Sequence, residues 1–166
     1  MATPITKPLT VRCQCGNISF PTPAPKPVTT FFCHCTECQK QTSSAFGTSA
    51  IFMAEGLFPL APELAAKLKV YTRKHPEADR TLNCYFCPEC GSRLIHRIVD
   101  ADGTPRATVS IKGGCIEGLE WDWSKCMHIF VRSAVIALPP EFEQYKTIPS
   151  WMDMSKPSHS VPEGRS

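Results

Sequence analysis

Residues 84–91 read Cys84-Tyr85-Phe86-Cys87-Pro88-Glu89-Cys90-Gly91, and residues 13–16 read Cys13-Gln14-Cys15-Gly16. Each stretch ends in a close pair of cysteines with glycine directly after the second. A tight turn of this kind aims two sulfurs at one point and leaves backbone N–H groups free to hydrogen-bond them. The glycine admits the positive φ that such a turn needs. Two turns distant in sequence together offer the four tetrahedral sulfur ligands that a structural zinc takes at about 2.3 Å. Such a site staples a fold and supplies on the order of 10–16 kcal/mol of apparent binding energy.

A third cluster, Cys33-His34-Cys35-Thr36-Glu37-Cys38, packs three cysteines into six residues. With Cys13, Cys15, Cys87 and Cys90 forming a complete set, Cys33, Cys35 and Cys38 are left as three ligands with one open position, the pattern of a catalytic zinc. Other pairings stay open from spacing alone. The triplet could close by recruiting Cys84, which also offers an alternative register three residues before Cys87. Cys87 and Cys90 could be a redox dithiol, although the βαβ pattern that usually accompanies one is absent. Cys115 and Cys126 are expected to behave as small apolar core residues.

The chain has 166 residues, 42% hydrophobic and 20% charged, which suits one globular domain. Its ten cysteines could in principle form disulfides. Met1 to Pro8 lacks the apolar stretch of a secretory signal, so a reducing, cytoplasmic setting and metal binding are expected. No run of 18 apolar residues spans a membrane. The net charge of +3 is scattered. Neither a nucleic-acid surface nor an anionic membrane surface is expected, while small anionic ligands fit.

Along the chain, residues 1–10 read as a leader and 139–166 as a proline-rich, low-order tail. Val11 to Phe20 suggests a strand or hairpin around the first cysteine pair. The four prolines between Pro21 and Pro27 make a loop. Val28–Cys33 is β-branched and aromatic, a strand by propensity. A short helical turn follows within Cys33–Thr42, and Ser43–Met53 reads as a strand. Leu57–Leu68 has a helical tint limited by Pro59 and Pro62. Val70–Arg73 and Arg93–Val99 read as strands, and Arg106–Ile111 as a return strand after a turn at Asp102-Gly103. His128–Leu138 reads as the last strong strand. The prediction is a mainly β domain over 11–138, with several short antiparallel sheets and one or two short helices.

The order Cys-x-Cys-Gly, Cys-His-Cys-x-x-Cys, Ser-Ser-Ala-Phe-Gly and Phe-Cys-x-x-Cys-Gly resembles the glutathione-dependent formaldehyde-activating enzymes and their centromere-protein-V relatives. The resemblance covers roughly residues 11–138. It implies an Mss4-like zinc-binding fold with two zincs per chain, one structural on Cys13, Cys15, Cys87 and Cys90 and one in the active site on Cys33, Cys35 and Cys38. It also implies carbon–sulfur lyase chemistry on a small-molecule thiol or glutathione conjugate. Cys115 stands where a threonine-like residue is expected.

Coordination to zinc deprotonates a thiol, which otherwise has a pKa near 8.5. The same Lewis acidity serves C–S bond formation and cleavage. Candidate substrate contacts are Ser43, Ser44, Phe46 and His128. His34, Glu37 and His128 are candidates for proton transfer, the histidines because imidazole titrates near neutral pH. The rival reading is a non-catalytic zinc-ribbon module for protein or nucleic acid.

Overall fold

The computed structural model describes residues 6–75 and 78–152. It is mainly β, with eleven strands in two sheets and two short α-helices among the described residues. The strands are β1 (Thr10–Arg12), β2 (Ser19–Pro21), β3 (Thr29–Cys33), β4 (Gly47–Met53), β5 (Lys69–Lys74), β6 (Arg80–Phe86), β7 (Arg93–Asp100), β8 (Thr108–Lys112), β9 (Ile116–Glu117), β10 (Met127–Ile129) and β11 (Gln144–Tyr145). Helix α1 spans Thr36–Thr42 and α2 spans Pro62–Lys67. The small sheet runs β2-β1-β9 and the large one β11-β10-β3-β4-β8-β7-β6-β5.

Period-two alternation explains how these strands divide their side chains. Ala50, Phe52, Val109 and Ile111 point from the large sheet toward Val11, Ile18, Phe20 and Ile116 of the small sheet and its turn, and all are buried in one core. The opposite face of the large sheet carries mixed polar and apolar residues and, at the end of β3, Cys33. A second core lies there, where Phe31, Cys33, Cys38, Met127, Ile129 and Phe130 pack together.

Three expectations are corrected. The predicted strand over His128–Leu138 ends at Ile129, because Phe130 adopts φ 56° and a 3-10 turn takes over at Val131–Ser133. The segment 139–152 is ordered: β11 adds to the sheet edge, and Ile148, Trp151 and Met152 pack against the second core. The rest of the predicted tail, 153–166, lies outside the described residues. The pairing is also not wholly antiparallel, since β10 runs parallel to both β3 and β11.

Candidate metal and thiol site

The turn between β1 and β2 holds Cys13 and Cys15, and the turn after β6 holds Cys87 and Cys90. Their glycines, Gly16 and Gly91, sit at φ 79° and 72°, where a side chain would be strained. The backbone N–H of Gln14 donates to Ser92 Oγ at 3.1 Å, tying the two turns together. The four sulfurs lie within 4.8 Å of one another. Sulfurs tetrahedral about a zinc at 2.3 Å would be about 3.8 Å apart. Cys13 and Cys15 are 3.5 Å apart and Cys15 and Cys87 3.7 Å, so the donor set fits. Ile18 N–H donates to Cys13 Sγ at 3.2 Å. Ser92 Oγ lies 3.2 Å from Cys90 Sγ, and its hydroxyl and backbone N–H hold that thiol down to about 5.

The triplet is built by a strand running into a helix. Cys33 ends β3, Cys35 caps the N-terminus of α1, and Cys38 lies in that helix's first turn. The cap explains the spacing: Cys35 Sγ accepts the N–H of Cys38 at 3.3 Å, the bond a serine or aspartate cap would make. The three sulfurs also lie within 4.8 Å of one another, with Cys33 Sγ 3.4 Å from Cys35 Sγ. Contacts with Cys33 and Cys38 pull the Cys35 thiol down to about 2, while the same contacts push Cys33 well above its ordinary value.

The other cysteines stay apart. Cys84 is buried with its Sγ 3.7 Å from Leu82 O, and Cys115 Sγ donates to Arg93 O at 3.3 Å. Cys126 Sγ lies 3.1 Å from Thr30 Oγ1. None of the three belongs to either sulfur cluster.

The triplet opens onto a cavity of about 180 Å³. Its floor is the outer face of the large sheet, where Ser49 pairs with Lys112 and Ser110 with His96. Arg73, His75, Arg80 and Arg106 continue the floor toward β5, and Ile148, Trp151 and Met152 wall one side. Arg106 is held by both carboxylate oxygens of Asp100. Lys112 is 5% exposed and donates to Ser49 Oγ at 3.0 Å. Burial, reinforced by Lys112, Arg73 and Arg93, pushes the His96 imidazole well below its ordinary value. Burial and the nearby Arg80 and Arg73 bring His75 to about 4.

Of the residues expected to touch substrate, Ser43, Ser44, Phe46 and His128 do not line this cavity. Ser43 is the left-handed C-cap of α1, and Ser44 Oγ donates to Phe46 O at 2.8 Å. The Phe46 ring packs on Phe32, His34 and Trp123. His128 is fully buried, stacked between Phe32 and Phe142. Glu37 does line the cavity, paired with Lys40 at 3.1 Å. Lys112 and His96, two of the buried polar groups on the floor, were not among the expected site residues. The alternation His96-x-Ile98 and Ser110-x-Lys112 was the available signal, but a period of two does not say which face is the site.

These features define a mainly β protein whose two cysteine clusters can hold metal ions, one of them opening onto a small cationic cavity. The family model for the glutathione-dependent formaldehyde-activating enzyme matches residues 8–133, and the chain belongs to that family. No curated protein matches it. No helix among the described residues is long and apolar enough to cross a membrane.

Proposed function

We propose that the protein is a zinc-dependent carbon–sulfur lyase acting on glutathione or a related thiol. The reaction joins the thiol sulfur to a carbonyl carbon such as that of formaldehyde, with the thiol proton ending on the carbonyl oxygen, or runs in reverse. The observation that carries this reading is the placement of three converging thiols on the wall of a cavity whose floor is cationic.

In this reading Cys13, Cys15, Cys87 and Cys90 hold a structural zinc, and Cys33, Cys35 and Cys38 hold the catalytic one. A zinc bound by the triplet would supply Lewis acidity and lower the pKa of a substrate thiol. Three thiolates leave such a centre with net negative charge, which suits thiol chemistry better than water activation. The chain's own residues do the rest. Cys35, fixed by its cap bond to Cys38 N–H, keeps the triplet in shape, and the apolar wall at Phe130, Ile148 and Trp151 excludes water from the sulfur.

Native mass spectrometry of protein purified without chelator tests the metal content. Two zincs per chain, falling to one in Cys35→Ser, are expected. Proton NMR of glutathione and formaldehyde then follows formation of the hydroxymethyl thioether, which should accelerate with wild type only. One zinc in the wild type, or full activity in Cys35→Ser, would overturn the proposal.

A further inference from the structure

Lys112 is the most deeply buried cation on the cavity floor, at 5% exposure. Its hydrogen bond goes to the neutral Ser49 hydroxyl, and among the described residues no carboxylate forms an ion pair with it. A buried ammonium favours anions around it; the triplet is one, since Lys112 acts electrostatically on Cys38, and the cavity that the lysine lines leaves a place for a second. A second observation points the same way. His96, 8% exposed and also on the floor, has an Nε2 with no hydrogen-bond partner. A third concerns space. A Cβ added at Gly47 would meet Cys38 Cβ at 3.4 Å and Lys112 Nζ at 3.5 Å. The glycine therefore leaves the ammonium and the triplet facing each other across a gap that any side chain would fill.

We propose that Lys112 and His96 form the anion subsite of this cavity and bind a carboxylate carried by the thiol substrate while its sulfur is at the triplet. One ammonium and one neutral imidazole N–H match the single charge and two oxygens of a carboxylate. The substrate class is then a mercaptocarboxylate, a description that includes glutathione. This inference rests on the reading of the triplet as a thiol-binding metal site.

The test uses isothermal titration of the zinc-loaded protein with 3-mercaptopropionate and with its methyl ester, which keeps the sulfur and removes the charge. The acid should bind on the order of ten-fold more tightly than the ester. That preference should vanish in Lys112→Met, with ester binding unchanged. Gly47→Ala, whose added methyl makes only ordinary contacts, should weaken the acid in a protein whose folding is not in question. Equal binding of acid and ester by the wild type overturns the anion subsite while leaving the thiol site standing. If Lys112→Met weakens acid and ester alike, the lysine balances the charge of the thiolate cluster instead, and the subsite is wrong. If neither compound binds, the parent reading falls with it.

Discussion

His34 Nε2 lies 3.1 Å from His128 Nδ1, and this contact ties the loop between Cys33 and Cys35 to the buried strand β10. The proton positions follow from the next link. His128 Nε2 is 3.0 Å from the carbonyl oxygen of Trp123, which can only accept, so His128 carries its proton there. Its Nδ1 then accepts from His34 Nε2–H. Burial, and then His128 itself, push His34 down to about 4, so the His34 ring is neutral scaffolding at physiological pH. The bond fixes how the triplet is presented, a supporting role common around metal ligands.

His128→Leu should therefore act on the site through His34 rather than on substrate. It strands the His34 donor in a buried place and should cost about 1–3 kcal/mol of stability. Urea melts would read the loss, and metal analysis should show weaker retention at the triplet. If instead KM for the thiol rose while stability and metal content stayed at wild-type values, His128 would be a substrate contact after all.

The cysteine clusters were legible in the sequence because their spacing is short and local, and turn geometry alone brings Cys87 near Cys90. Most strands were legible for the same reason: Thr29–Cys33 is nearly the predicted Val28–Cys33. What escaped was non-local. The turn at Phe130 breaks an apolar run that reads as one strand, since nothing in the residue types announces φ 56° there. The substrate candidates Ser43, Ser44, Phe46 and His128 were chosen for closeness in sequence or for chemistry. The cavity instead draws on seven strands of the large sheet, and pairing across it decides which residues meet the sulfurs.

The two clusters should respond differently to loss of a ligand. Cys87→Ser removes a fully buried sulfur from a site that joins the small sheet's turn to β6. It should lower the melting temperature steeply and leave much of the chain unfolded at physiological temperature. Cys35→Ser should keep the fold, since serine can still cap α1, yet reduce turnover more than about a hundredfold, beyond the usual cost of losing an outer-shell partner. Circular dichroism melts and the NMR assay read the two effects, and equal melting temperatures would undo the division into structural and catalytic sites.

Gly113 marks a packing limit behind the cavity. A Cβ there would collide with the Trp121 ring and come within 2.6 Å of Thr48 Oγ1. Gly113→Ala should cost about 1–3 kcal/mol through overpacking. Gly114, where an added Cβ meets nothing within 4 Å, is the matched control. A denaturant midpoint shifted equally by both changes would show that backbone entropy, not the Trp121 contact, is responsible.

Trp151 lies beyond the region matched by the family, yet it walls the cavity beside Ile148 and Met152. Trp151→Ala should leave the metal content at its wild-type value and raise KM for an apolar thiol severalfold, with kcat changed less, because it removes apolar contact area from the substrate side alone. Steady-state kinetics with a simple alkanethiol and with glutathione as the thiol would show it. An unchanged KM for both would mean the 148–152 segment merely closes the core.

His96 sets a pH dependence whose sign is fixed by its burial. Its folded pKa lies well below 6.5, held down by burial and by Lys112, Arg73 and Arg93. As pH falls below about 6.5, the unfolded chain takes up a proton there that the folded chain refuses. The stability this group contributes is therefore complete above that pH and is lost on acidification, at a limiting slope of about 1.4 kcal/mol per pH unit. His75 adds in the same direction down to about 4. His96→Gln removes one of these groups and should flatten the decline in unfolding free energy between pH 7 and pH 5, measured at constant zinc content. A variant whose stability falls as steeply as that of wild type would mean that His96 is already protonated in the fold, and hence that its ring carries charge beside Lys112.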